Sequence, residues 1–171
     1  MNIFSGRKLE KQKKLIEQII MKNYNQYYRM AYSYVHNESD AYDIVQNGAC
    51  KAIQSSDSLK NNDYAETWIY RIMINECFKL LKQSKVIPYE NVDENISEKP
   101  YTNDEDIKID LHNALNQLSD KDKAVIILKY FEDKKLDEIA LILDENVNTI
   151  KSRLYRSMNK LRKILTYEES Q

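Results

Sequence analysis

The most one-sided chemistry in the sequence lies in NVNTIKSRLYRSMNKLRK, residues 146–163. Six of these residues are Lys or Arg and none is acidic, in a chain whose formal net charge is −1. Cationic side chains at this density suit phosphate, and an Arg can also pair bidentately with guanine. Read as a helix, Ile150, Leu154, Met158, Leu161 and Leu165 form one apolar stripe. Lys151, Ser152, Arg156, Asn159 and Lys163 project elsewhere, with Arg153 and Arg162 beside the stripe. One side anchors the helix and the other is offered.

A plainer reading is that cations near a helix C-terminus complement the macrodipole and solvate the surface. It accounts for Lys160, Arg162 and Lys163. It does not account for Lys151, Arg153 and Arg156, which stand in the first half, where a helix disfavours cations unless an external anion is expected.

The elements that position these residues follow from spacing. LDEIALIL (136–143) and the basic helix are separated by about four residues, Asp144 to Val147, and Ala140 is small enough to let the two helices approach closely. This is a helix-turn-helix pattern, and Lys151, Arg153 and Arg156 stand in the half where a recognition helix carries its base-edge and phosphate contacts. Upstream, Ile107, Leu111, Leu115 and Leu118 keep a helical period, Ser119-Asp120 reads as a cap, and Ala124, Val125, Leu128 and Phe131 follow.

With only two Gly and two Pro in 171 residues, most of the turn vocabulary of sheet proteins is missing, which predicts an all-α fold. Both prolines, Pro88 and Pro100, fall in a polar stretch where residues 89–110 carry a net −6. The spacing therefore predicts two small helical domains, 1–87 and 107–171, joined by a flexible acidic linker at 88–106. The first domain shows apolar periodicity in four segments, Leu9 to Ile20, Tyr24 to Val35, Ala41 to Ile53 and Trp68 to Leu81. The tyrosines at 24–34 read as packing residues with hydroxyls reaching water. Residues 54–64, QSSDSLKNNDY, form a long polar loop, and residues 1–22 carry a net +4. Cys50 and Cys77 lack CxxC spacing and read as reduced core residues of a reducing compartment. No apolar run resembles a signal peptide or approaches the roughly 20 residues of a membrane span, so a cytoplasmic protein without membrane insertion is expected.

Residues 118–165 resemble region 4 of extracytoplasmic-function (group 4) RNA polymerase sigma factors, most densely at LDEIA, VNTIKSRLYR and KLRK. AYDIVQNG (41–48) and TWIYRIMIN (67–75) resemble two region-2 segments of the same family. The chain departs from the pattern in four places. Asn148 stands where Gly often precedes Thr149, and Glu145 where an apolar turn residue is usual. Asn47-Gly48 replaces an acidic residue and its neighbour, and Lys82 and Lys85 stand where Arg is frequent.

The resemblance implies a promoter-specificity subunit with three tasks and no bond chemistry of its own. Asp40, Asp43, Ile44, Gln46 and Asn47 would meet the clamp helices of core RNA polymerase, although Asp40 and Asp43 could equally serve a helix start near Ser39. Asn61, Asn62 and Tyr64 would wall a pocket for a flipped −10 base, beside a ridge of Arg71, Asn75 and Lys79. Trp68 reads first as a core residue. Asn148, Thr149, Lys151, Ser152, Arg153 and Arg156 of the basic helix would enter the major groove of the −35 element. An anti-sigma factor, often membrane-linked, is the expected inhibitor, and no cofactor or metal is implied. Three other readings fit the residues less well, and one of them, a polymerase-binding protein that has lost DNA reading, conflicts with the intact basic helix. A stand-alone helix-turn-helix regulator has no need of the 41–48 and 67–75 segments. A helical enzyme lacks a constellation here: His36 and His112 fall in different predicted domains, and no HExxH, CxxC, GxSxG or phosphate loop occurs.

Overall fold

The computed structural model describes residues 3–86 and 111–168. The first group holds α1 (Ile3–Val35), α2 (Glu38–Gln54), two short 3-10 turns at Ser56–Ser58 and Asn62–Tyr64, and α3 (Ala65–Val86). The second begins with α4, described over residues 111–116, followed by α5 (Asp120–Ile126), α6 (Leu136–Leu143) and α7 (Val147–Glu168). No strand occurs among the described residues, as the scarcity of Gly and Pro predicts. The expected linker at 88–106 and Ile107 lie outside the described residues. No described helix is long and apolar enough to cross a membrane.

The two apolar segments read before residue 36 are one continuous helix of 33 residues, since nothing between them breaks it. Ile16, Ile20, Tyr27, Met30, Ala31 and Tyr34 all face inward. The Tyr34 hydroxyl corrects the expectation for the tyrosines: it is buried, and no described group hydrogen-bonds to it. Its ring meets Phe78 edge-on at 6.3 Å.

α1 stops at His36, which takes a left-handed φ of 48°. Asn37 then caps α2, its side chain accepting from the Asp40 N–H at 2.9 Å. The start thus lies two residues before Ser39. α2 packs on α3 so closely that a Cβ on Gly48 would overlap the Met73 sulfur, which explains a glycine inside a helix.

In the second group Ser119 caps α5 as its position predicts, accepting from the Asp122 N–H at 3.3 Å. α5 runs into a π-turn over Ile127–Phe131. The wider turn lets consecutive residues serve two cores. Ile126 packs with Ala114, Leu115, Leu118 and Leu161. Ile127 and Leu128 join a larger cluster with Ile139, Ile142, Leu143 and Ile150.

That larger cluster is continuous with the core of the first group. Polar contacts bind the same seam. The Tyr70 hydroxyl donates to Glu132 at 2.8 Å, and the Lys134 ammonium lies 4.3 Å over the Tyr70 ring. Lys123 is 3% exposed and donates to the Tyr34 carbonyl at 2.9 Å and to Asn116 at 2.7 Å. Its ammonium therefore satisfies a carbonyl in the last turn of α1, where the helix dipole favours a cation.

Candidate nucleic-acid interface

The first polar surface is built on α7. α6 ends at Asp144, which adopts a left-handed φ of 56°. α7 starts before Asn148. The side chain of Asn146 accepts from the Asn148 N–H at 2.8 Å, so Asn146 caps the start of α7. Ile150 is fully buried and Leu161 nearly so, which fixes the rotation of α7.

That rotation exposes Asn148, Thr149, Lys151, Ser152, Tyr155 and Arg156. Tyr155, 72% exposed, was missed because an aromatic is read as core by default. Its position three after Ser152 was the available signal. Among the described residues, neither Lys151 nor Arg156 has an ion-pair partner.

Arg153 differs from the expectation. Its guanidinium is 20% exposed and turns back into its own domain. It donates to the two Glu145 oxygens at 2.7 and 3.1 Å and to Asp122 at 2.8 Å. Lys121 adds a contact of 2.6 Å to Glu145. The Arg153 hydrogen bonds, first among the causes, hold the Glu145 carboxyl below the usual carboxylate range, and Glu145 and Asp122 in turn raise the Arg153 pKa. Glu145, out of place as an apolar turn residue, is thus one half of a charged brace joining the turn, α5 and α7.

The second surface lies on the first group. A hollow of about 270 Å3 is lined by Ser58, Lys60, Asn61, Tyr64, Trp68 and Arg71, among others, and by Leu141 from α6. Asn61 and Tyr64 meet there as predicted, with Tyr64 53% exposed. Trp68 packs against the core, as read from the sequence, and also lines the hollow. Asn62 is exposed but outside the lining. Asn75 borders a second hollow with Lys51, Gln54 and Glu76, and Lys79 is exposed further along α3. The predicted ridge therefore divides, and Arg71 alone of its members joins Asn61 and Tyr64. Arg71 is paired with Asp144 at 2.6 Å.

On α2, Asp43, Gln46 and Asn47 are exposed beside Tyr42. Ile44 is not: at 1% exposure it belongs to the core with Ala41, Val45 and Gly48, and its period of four with them was legible. Asp40 is half-buried at the seam, sharing a hollow with His112, Asn116 and Lys123.

Fold and surfaces together define an all-helical protein with a helix-turn-helix and a separate polar pocket. Comparison with known proteins narrows this class. Sigma-70 region 2 matches residues 19–86, and sigma-70 region 4 matches residues 108–161. RNA polymerase sigma factor SigV of Bacillus subtilis is 38% identical over 164 residues, covering 95% of this chain and 98% of that protein. ECF RNA polymerase sigma factor SigW of the same organism is 29% identical, covering 81% and 82%. In fold, the chain resembles the sigma factor RpoE, solved with the anti-sigma factor NepR from Bartonella quintana. The TM-score is 0.67 and the identity 24%, with 88% of this chain and 96% of that one covered. The chain belongs to the sigma-70 family and is a promoter-specificity subunit of RNA polymerase.

Proposed function

We propose a division of labour among the residues of this sigma factor. Asn148, Thr149, Lys151, Ser152, Tyr155 and Arg156 hold the −35 element, with Arg156 the guanine reader and Lys151 a phosphate anchor. Arg153 is reassigned: it positions the helix through Glu145 and Asp122. The hollow walled by Asn61, Tyr64 and Trp68 receives a base flipped out of the −10 element, which a melted strand supplies at the lowest cost. Asp43, Gln46 and Asn47 form the exposed core-polymerase face of α2. The chain contributes binding and placement, and the bond chemistry remains that of the polymerase. Its site of action is the cytoplasm.

The observation that carries this reading is the exposed pair Lys151 and Arg156 in the first half of α7, with no ion-pair partner among the described residues. An anti-sigma factor is the proposed inhibitor, since the sigma factor RpoE was solved in complex with the anti-sigma factor NepR. A footprint of the polymerase holoenzyme tests the assignment. Arg156→Ala should remove protection around −35 while core binding persists, and an unchanged footprint would overturn the role of α7.

A further inference from the structure

The basic N-terminal stretch has no role in the division of labour above. Between residues 7 and 14 the chain carries Arg7, Lys8, Lys11, Lys13 and Lys14 against Glu10. These residues precede the sigma-70 region 2 match, which begins at residue 19. They form part of α1, continuous with the turns that carry the core residues Ile16 and Ile20. At 3.6 residues per turn, Arg7, Lys8, Lys11 and Lys14 share one face about 120° wide, turned away from Ile16. All four are exposed.

An ordinary solvated helix face interleaves the two signs, and each opposite pair four residues apart supports the helix. This face does the reverse. Arg7 and Lys11 are four apart, and Lys8, Lys11 and Lys14 follow at steps of three, so like charges stand side by side. Among the described residues none of the four has an ion-pair partner. Their mutual repulsion weakens the helix, and a polyanion laid along the face relieves it.

The neighbouring loop indicates which polyanion. The Gln12 side chain donates to the Leu59 carbonyl at 2.5 Å. Leu59 and Lys60 belong to the lining of the hollow walled by Asn61, Tyr64 and Trp68. The turn at Ser56–Ser58 also packs against α1. Lys8 stands four residues before Gln12, on the same side of the helix. The basic face therefore begins at the rim of the pocket. Residues 7–14 rise about 10 Å along α1, the span of about three nucleotides at 3.4 Å each.

We propose that Arg7, Lys8, Lys11 and Lys14 hold the phosphate backbone of the promoter strand flanking the −10 element. Lys60, exposed on the loop, links this face to the pocket. The inference extends the pocket reading above and rests on it. The pocket takes a base and reads sequence, whereas the face takes phosphates of any sequence and keeps the strand in register.

The test is the salt dependence of holoenzyme binding to a pre-melted promoter fragment mapped by run-off transcription. One variant combines Arg7→Gln, Lys8→Gln, Lys11→Gln and Lys14→Gln, since Gln preserves the helix. Its plot of log affinity against log salt should be shallower by about 2–3, with binding at least about tenfold weaker at low salt. A charge-keeping variant, Arg7→Lys, Lys8→Arg, Lys11→Arg and Lys14→Arg, should retain the wild-type slope. Tyr64→Ala should weaken binding with the slope unchanged. An unchanged slope in the Gln variant, with Tyr64→Ala still weakening, overturns this proposal and leaves the pocket reading standing. A Gln variant that loses affinity for core polymerase itself meets protein through this face, which also overturns it. A lowered slope with Tyr64→Ala silent overturns the pocket reading, and with it the placement of these phosphates beside −10.

Discussion

Arg71 and Arg153 both hold carboxylates, and the two pairs differ in what they do. Arg153 and its partners Glu145 and Asp122 are 20%, 11% and 23% exposed. Arg71 and Asp144 are 41% and 75% exposed. The first pair is sheltered and multiply bonded, so breaking it strands charges away from water. The second is open to solvent, contributes little alone and is easily exchanged. Identical chemistry therefore gives a permanent brace in one half and a replaceable contact in the other. Of the two, only Arg71 can readily change partners.

Arg153→Ala carries the largest expected effect. It should lower the unfolding free energy by about 2–3 kcal/mol, as loss of charged hydrogen bonds does, seen as a lower Tm with −35 binding lost alongside. If Tm holds and only base preference changes, Arg153 is a reader and the contrast with Arg71 collapses. Arg156→Ala should show the opposite pattern, weakening promoter affinity by about 1–3 kcal/mol with Tm unchanged in a thermal melt. Tyr64→Ala should cost about 1–2 kcal/mol of affinity for melted −10 DNA, the scale of one stacked base, and leave duplex −35 binding intact in anisotropy titrations.

The smallest effect concerns the seam itself. His36 and His112 meet there with ring centroids 3.2 Å apart. The groups around them are Asp40 from α2, Asn116 from α4, and Asp120 and Lys123 from α5. Burial first, then His36 and Lys123, lower the His112 pKa to about 4, against about 6.5 when exposed. A lowered histidine stabilises the folded seam while neutral, above about pH 6.5, and that contribution is lost as pH falls toward 4. The Tm should therefore fall from pH 7.5 to 5.5, and His112→Gln should flatten the change. A pH-independent Tm would remove the histidines from the stability of the seam.

Much of this architecture is legible in the residues. The stripe from Ile150 to Leu165, the Ser119 cap and the convergence of Asn61 with Tyr64 all depend on local periodicity or turn chemistry. Ile44 was equally legible, being four residues from Gly48 and three from Ala41 on the buried face of α2. Arg153 was not. Its role depends on a carboxylate eight residues earlier across a turn and another on α5, a geometry that charge patterning along one helix does not encode. Asn146 and Asn148 offer the same capping chemistry, and only the backbone decides between them. The seam is the least legible feature, because Lys123 bonding to Tyr34 and Glu132 to Tyr70 join residues far apart in sequence whose types are common on any surface.

The central claim is that this chain directs RNA polymerase to promoters. Run-off transcription with core polymerase and a genomic fragment library tests it most directly. Discrete transcripts should appear only when core and chain are both present, start a fixed distance downstream of a shared two-part sequence, and weaken with Arg156→Ala. Transcripts independent of the chain, or promoter binding by the chain that core polymerase does not alter, would contradict it.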